Sequence, residues 1–324
     1  MKLYILQRLL LVFVTLFIII SVTFILLNNL PGGHGLDDPE MDPIMREMLR
    51  ERYGLDKPIH ERYLIYLRNI IVNMDLGVST VLYPQRSVTE MIWRRMPITI
   101  QMNLMSSLLV YPLGIGIGIL MALKKGTLVD TSLNVAVVLF ISVPLFVVAS
   151  LLQYFLAFKF GWFPLLISTW RPNEWAMNME KFHSLILPVL ALSFGGIMSI
   201  ARSMRGELAE ALTSDFMLLA KTKGLSHGQA TLRHAFRNAF LPMTGIIVSA
   251  FVLLLTGSMF IERVFSIPGL GGTLVSAIQV VDVPMAIGWM IIFTTINLLS
   301  ILITDLLYGV VDPRVRIGGR SVEA

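Results

Sequence analysis

The chain has 324 residues, of which 55% are hydrophobic and only 15% charged, and its mean hydropathy is +0.75. That balance excludes a pair of soluble domains and places the chain among polytopic membrane proteins. The net charge of +5 sits on basic residues that flank apolar runs without interleaved aromatics, which excludes nucleic acid as a partner, and the absence of cysteine excludes a disulfide framework, a thiolate metal site and a thiol nucleophile.

Leu9 to Leu27 is an uncharged run of 19 residues behind Lys2 and Arg8. It is longer than a signal-peptide core, and Asn28-Asn29-Leu30-Pro31 is no small-residue cleavage site, so 1–30 reads as a retained first span. The segment 31–96 carries nine basic and ten acidic residues in mixed order. Within it Met45, Met48, Leu49 and Tyr53, and then Tyr63, Tyr66, Leu67 and Ile70, recur at helical spacing. One or two amphipathic helices are expected there, forming an ordered extracytoplasmic cap.

A core domain of five more spans is expected over 97–311, at roughly Ile98–Leu123, Thr131–Phe158, Ser184–Ala201, Phe240–Ile261 and Val283–Thr304. Each run is free of Asp, Glu, Lys and Arg. Prolines 112, 144 and 188 are tolerable in packed membrane helices, and Gly114, Gly116, Gly118 and Gly195-Gly196 predict close helix–helix approach. Trp93, Trp162, Trp170, Trp175 and Tyr308 fall near span ends, where interfacial aromatics belong. Residues 312–324 read as a polar tail. With the N-terminus inside, thirteen basic residues fall in inner segments and four (Lys159, Arg171, Lys181, Arg263) in short outer loops. The asymmetry predicts that both termini and the long polar stretch Arg202–Pro242 are cytoplasmic.

That stretch holds six basic residues (Arg202, Arg205, Lys221, Lys223, Arg233, Arg237) against three acidic ones (Glu207, Glu210, Asp215). It reads as two short helices with a joint. Ser214 caps the first, Asp215 occupies its opening turn, Lys221 and Lys223 its closing turn, and Gly224 stops it in the left-handed conformation. Phe216, Leu219 and Ala220 share one face, followed by Leu225. Ser226 and Gln229 form a capping box that opens a second helix through Leu232, Phe236 and Phe240 to Leu241-Pro242. So short a helix does not stand alone in water, and its apolar face needs a receiving surface.

The chain contains no G-x-x-x-x-G-K-[ST] phosphate loop, no H-E-x-x-H pair and no G-x-S-x-G elbow. Its five histidines (34, 60, 183, 227, 234) are scattered singly, and His183 reads as a packing residue. No catalytic residue, metal site or cofactor is expected. The spans carry no central ionisable relay of the kind ion-coupled carriers use. Asp305 falls at the inner end of the last span. The polar content of the spans is Gln101, Asn103, Asn134, Gln153 and Asn297 with scattered Ser and Thr. These five are either helix-packing hydrogen-bond donors or the neutral lining of a pore for a polar solute.

Several segments resemble one family. Ala220-Lys-Thr-Lys-Gly224-Leu225 followed by His234-Ala-Phe-Arg-Asn-Ala-Phe-Leu-Pro242 is similar to the cytoplasmic coupling loop of ABC importer permeases. The likeness continues through Arg8, Leu30-Pro-Gly32, Tyr53-Gly-Leu-Asp-Lys-Pro58, Asp75-Leu-Gly-Val-Ser79, Arg95-Met-Pro-Ile-Thr99, Phe265-Ser-Ile-Pro-Gly-Leu-Gly271, Asp305-Leu-Leu-Tyr308 and Asp312-Pro-Arg314. Together they resemble the B-type transmembrane subunit of oligopeptide/dipeptide importers. The chain departs from the family pattern at Gly33-His34-Gly35 and at Leu218-Leu219.

The resemblance implies an all-α type I permease fold of six spans in a bacterial plasma membrane, forming half of a translocation pore in the bilayer lipid. It implies as partners a homologous second permease subunit, two cytoplasmic ABC ATPase subunits and an extracytoplasmic peptide-binding protein. The coupling element would be 214–225. Within the family, nickel chelates or oligosaccharides are alternative cargoes; outside it, the competing reading is a self-sufficient secondary carrier or channel.

Overall fold

The computed structural model describes residues 2–29, 42–167, 171 and 174–311, and among them every regular element is helical. Helix α1 (Lys2–Asn28) is apolar around its whole circumference. Two short helices follow, α2 (Pro43–Tyr53) and α3 (Ile59–Asn73), each closed by a left-handed residue, Gly54 and Met74. The two helices expected within 31–96 are thus present. Asp42 opens α2, its carboxylate accepting the Ile44 N–H at 2.8 Å, with Pro43 preset for the first turn. Tyr63, Tyr66, Leu67 and Ile70 of α3 pack against Ile20 and Phe24 of α1 and against Val283, Ile287 and Ile291 of the last helix.

The spine of the molecule is α4 (Val88–Leu123) against α7 (Met179–Leu212). Three glycines allow their approach. A Cβ at Gly114 would fall 2.7 Å from Ile200 Cβ, one at Gly118 would fall 2.6 Å from the Ala201 carbonyl oxygen, and one at Gly196 would fall 2.9 Å from Val110 Cγ2. Gly116 and Gly195 face open space, so only part of the glycine series serves this contact. At 36 residues α4 is about 54 Å long, which separates two ends of the molecule.

Two expected spans take other shapes. The run 131–158 is not straight: α5 (Leu128–Ser142) and α6 (Leu145–Leu152), the latter extended by a π-helix over Gln153–Lys159, are bent by 96° at Val143-Pro144. Proline supplies no N–H to continue the ladder and disfavours a helical residue before it. The run 240–261 is not one helix either. It belongs to α10 (Phe236–Leu253), then a turn, then α11 (Met259–Val264). The chain continues through α12 (Leu270–Gln279) to α13 (Val283–Val311).

Four described helices (α1, α4, α7 and α13) are long and apolar enough to cross a membrane, and the bent pair makes a fifth. Trp93, Trp162 and Trp175 are exposed, and His183 stacks obliquely on Phe163 with ring centroids 5.4 Å apart. Leu30-Pro-Gly32, Gly33-His34-Gly35, Trp170, the tail 312–324 and the side chains of Met45, Asp305 and Tyr308 lie outside the described residues.

Candidate coupling surface and the opposite end

At one end of the spine sits α8 (Asp215–Thr222). Ser214 holds the N-cap position, but its hydroxyl turns back to donate to the Ala211 carbonyl at 2.6 Å, so the expected side-chain cap is absent. The stop at Gly224 forms as read. Its φ is +87°, its N–H reaches the Lys221 carbonyl at 3.0 Å, and the Leu225 N–H reaches back to Ala220 at 3.3 Å.

The apolar residues of α8 divide between two faces. Met217 and Ala220 are buried with Met204, Leu208 and Ala211 of α7 and with Ala230, Ala235, Ala239 and Met243 beyond the joint, while Leu225 packs at the edge. Phe216, Leu218 and Leu219 point away and are 37%, 65% and 56% exposed, flanked by exposed Asp215, Lys221 and Lys223. Ala220 thus belongs to the seat of the helix, not to the face it shares on a simple helical wheel. Small residues let α8 lie close to its seat, and the exposed face remains a hydrophobic patch edged with cations.

The capping box of Ser226 and Gln229 forms, opening α9 (His227–Ala230). The helix does not end at Leu241-Pro242. It passes through a π-turn at Thr231–Ala235 into α10, so this polar stretch is continuous with an 18-residue helix.

Gly224 has nothing within 4 Å of where a Cβ would stand, so a substitution there meets only backbone strain. Gly224→Val is expected to cost about 1–2 kcal/mol locally and to loosen α8 without lowering the membrane level of the protein. Hydrogen exchange of the 215–222 amides is the check; protection equal to that of the unaltered chain would contradict it.

Of the five polar span residues, four donate to backbone carbonyls. Gln101 reaches Trp175 at 2.7 Å, Asn103 reaches Leu254 at 2.7 Å, and Asn297 reaches Phe293 at 2.9 Å. Gln153 reaches Leu165 and Val264, each at 3.0 Å. Gln101, Asn103 and Gln153 thereby tie separate segments together, whereas the Asn297 bond stays within α13. The Gln101 Oε1 is buried without a partner, and Asn134 is half-buried.

The opposite end contains the residues that the sequence reading passed over. Asp282, fully buried just before α13, accepts the Ser79 hydroxyl and the backbone N–H groups of Thr80 (3.2 Å), Val81 (3.1 Å), Leu82 (2.8 Å) and Met285 (3.3 Å). Glu262 on α11 is 1% exposed and accepts the Gly272 N–H at 2.7 Å and the Thr99 hydroxyl at 3.1 Å. A Cβ at Gly269 would stand 2.5 Å from its Cδ, and one at Gly257 would stand 2.8 Å from its Oε1. Burial pushes the Glu262 carboxyl up to about 7, against the lowering effect of those two donors. Arg95 on α4 ties α12 to Tyr83 of the segment before α4. It donates to Thr273 at 2.7 Å and to the Tyr83 hydroxyl, with its guanidinium carbon 4.7 Å from the Tyr83 ring centre. No group of three or more His, Cys, Asp or Glu placed to hold a metal ion occurs among the described residues.

Comparison with known sequences decides the family. The model described as "Binding-protein-dependent transport system inner membrane component" matches residues 114–317, and the model for the N-terminal part of such membrane components matches residues 1–103. The chain belongs to this transport-permease family.

It is 38% identical over 314 residues to the dipeptide transport system permease DppB of Lactococcus lactis, covering 97% of this chain and 99% of that one. It is 34% identical over 313 residues to the oligopeptide transport system permease OppB of Haemophilus influenzae, with 97% and 99% covered, and 31% identical over 314 residues to DppB of Bacillus subtilis, with 97% and 98% covered. The chain is therefore a transport-system membrane component, not an enzyme.

The permease motifs acquire physical reasons here. In Asp75-Leu-Gly-Val-Ser79, Asp75 pairs with Arg52 at 2.7 Å and accepts the Gly77 N–H, and Ser79 delivers its hydroxyl to Asp282. Gly77 is left-handed at φ +93°, and a Cβ there would stand 2.8 Å from the Tyr53 hydroxyl, which is bonded to both polar groups of the Val78 backbone. In Phe265-Ser-Ile-Pro-Gly-Leu-Gly271, Gly269 makes room for the Glu262 carboxyl and Gly271 for the Ser258-Met259 backbone.

Proposed function

We propose that this chain is the B-type permease subunit of an ATP-driven peptide importer of bacterial plasma membranes, forming half of the pore together with a homologous second subunit. Two ABC ATPases drive it from the cytoplasm, and an extracytoplasmic peptide-binding protein delivers cargo. The single observation that carries this reading is the division of α8 into a seated face and an exposed one. Met217 and Ala220 hold the helix to the spans, while Phe216, Leu218 and Leu219 stand free beside Lys221 and Lys223. A seated helix with an exposed apolar face transmits force from a partner that covers that face. The chain has no phosphate loop of its own, so the energy source belongs to that partner.

In this reading six spans cross the bilayer, α10 being the one beyond the five defined by length and composition. Both termini and α8 face the cytoplasm, as the distribution of basic residues supports. The end holding Asp282 and Glu262 is then the outer mouth, and α2–α3 with the 75–87 loop form the cap that receives the binding protein. ATP-driven closure of the ATPase pair moves α8, α8 moves the inner ends of α7 and α10, and the pore alternates its access. The relatives named for dipeptides and oligopeptides support the peptide cargo.

The test is Phe216→Asp combined with Leu219→Asp in the assembled complex. Both side chains are exposed, so the membrane level is expected to stay near normal. ATPase co-purification and uptake should fall about tenfold or more, as for a charge placed in the centre of an apolar contact. Undiminished ATPase binding and uptake would remove α8 from the coupling role.

A further inference from the structure

The end of the molecule that carries α8 also holds a buried ion pair. Arg205 on α7 meets Asp130, in the first turn of α5, through two parallel bonds: Nε to Oδ1 at 2.6 Å and a terminal nitrogen to Oδ2 at 2.8 Å. The Asp130 side chain is 4% exposed and that of Arg205 is 26% exposed. A third donor, the Gly126 N–H at 3.1 Å, comes from the turn between α4 and α5, where Gly126 is left-handed at φ +79°.

The surroundings of the pair give it a direction. Met204, Leu208, Ala209 and Ala211, on the same stretch of α7 as Arg205, belong to the cluster that seats α8 through Met217 and Ala220. On the other side α5 runs to the 96° bend and α6, and Leu145 and Leu152 of α6 pack with Ile261 and Phe265 at the glycine-caged end. Between α5 and α7 the remaining close packing includes Val137 against Ala201 and an edge contact of Phe140 with Phe194. Apolar packing of this kind permits sliding, whereas a bidentate guanidinium–carboxylate fork fixes both distance and orientation.

We propose that Asp130 and Arg205 are the positioning residues that make α5 and the bend beyond it follow α7 when α8 moves. The ion pair is the joint between the coupling helix and the bent pair. This rests on α8 being the surface that an ATPase moves. A rigid joint converts displacement of α7 into displacement of α5; a broken one lets α7 move alone, so that ATP is hydrolysed while cargo stays.

The experiment uses the complete transporter in proteoliposomes, with cargo uptake and ATP hydrolysis measured on the same samples. Asp130→Asn, Arg205→Lys, Asp130→Arg, Arg205→Asp and the exchange Asp130→Arg with Arg205→Asp form the series. Asp130→Asn and Arg205→Lys keep the volume and lose the charge or the fork, so a reading survives if the reversals fail to insert. ATPase co-purification is expected to stay unchanged in the two conservative variants, and the uptake per ATP to fall about tenfold, a typical coupling free energy between sites. That loss at an unchanged level of assembled complex is what a merely stabilising role does not predict, and the exchange should recover at least half of the lost ratio. Unchanged uptake per ATP in both conservative variants overturns the joint, as does a loss that the exchange leaves unrescued while its protein assembles normally. If Phe216→Asp with Leu219→Asp retains its ATPase, the coupling reading fails first; if that variant loses its ATPase while the Asp130 series transports normally, the joint alone is wrong.

Discussion

Replacing Asp282 by alanine is expected to lower stability by about 3–5 kcal/mol, the largest single-residue effect expected at the end opposite α8. The carboxylate is fully buried and receives five donors, four of them backbone N–H groups. Each buried donor left without an acceptor costs about 1–3 kcal/mol. Thermal unfolding in detergent is the measurement, with Ser79→Ala as a control that removes one donor and leaves the carboxylate. The control should cost about 1 kcal/mol. A midpoint for Asp282→Ala no lower than that of the control would show that the clasp contributes little.

The second large effect is a pH dependence that belongs to Glu262. Its carboxyl is held at about 7 by burial, well above the ordinary glutamate value near 4.3. Between these two values the folded protein retains a proton that the unfolded chain has lost. Stability from this group is therefore full below about pH 4 and declines as pH rises toward 7, by about 4 kcal/mol in total. The direction is opposite to that of a salt-bridged carboxylate. Above pH 7 the charged form must rely on the Gly272 N–H and the Thr99 hydroxyl. Glu262→Gln does not ionise, so its melting temperature should change less between pH 5 and pH 7.5 than that of the unaltered chain. Parallel pH profiles for the two proteins would show that Glu262 does not titrate in this range.

Much of the architecture was legible in the chain because its signals are short-range. An uncharged run long enough to cross a bilayer, a helical repeat of Tyr63, Tyr66, Leu67 and Ile70, a serine three residues before a glutamine and a glycine after a basic turn each act within a few residues. The elements they predict are present as α1, α3, the capping box of α9 and the stop of α8. Even Pro144 was visible, although its consequence was misjudged: an ordinary tolerated proline in sequence becomes a 96° break where the helix turns over its neighbour.

What only the tertiary structure decided was the assignment of faces and of charges. Phe216, Leu219 and Ala220 share a helical wheel, but burial against α7 and α10 takes Ala220 and leaves the other two exposed. Asp130, Glu262 and Asp282 stand one residue outside the runs 131–158, 240–261 and 283–304, because a hydropathy reading ends a span at its first charge. Each is nevertheless buried, with side-chain partners 75, 163 and 203 residues away in sequence. No local pattern announces such a partner: a carboxylate is hydrated in the unfolded chain whatever its neighbours. Only the folded chain, by bringing a guanidinium, a hydroxyl or a row of N–H groups to it, offsets the cost of taking it out of water.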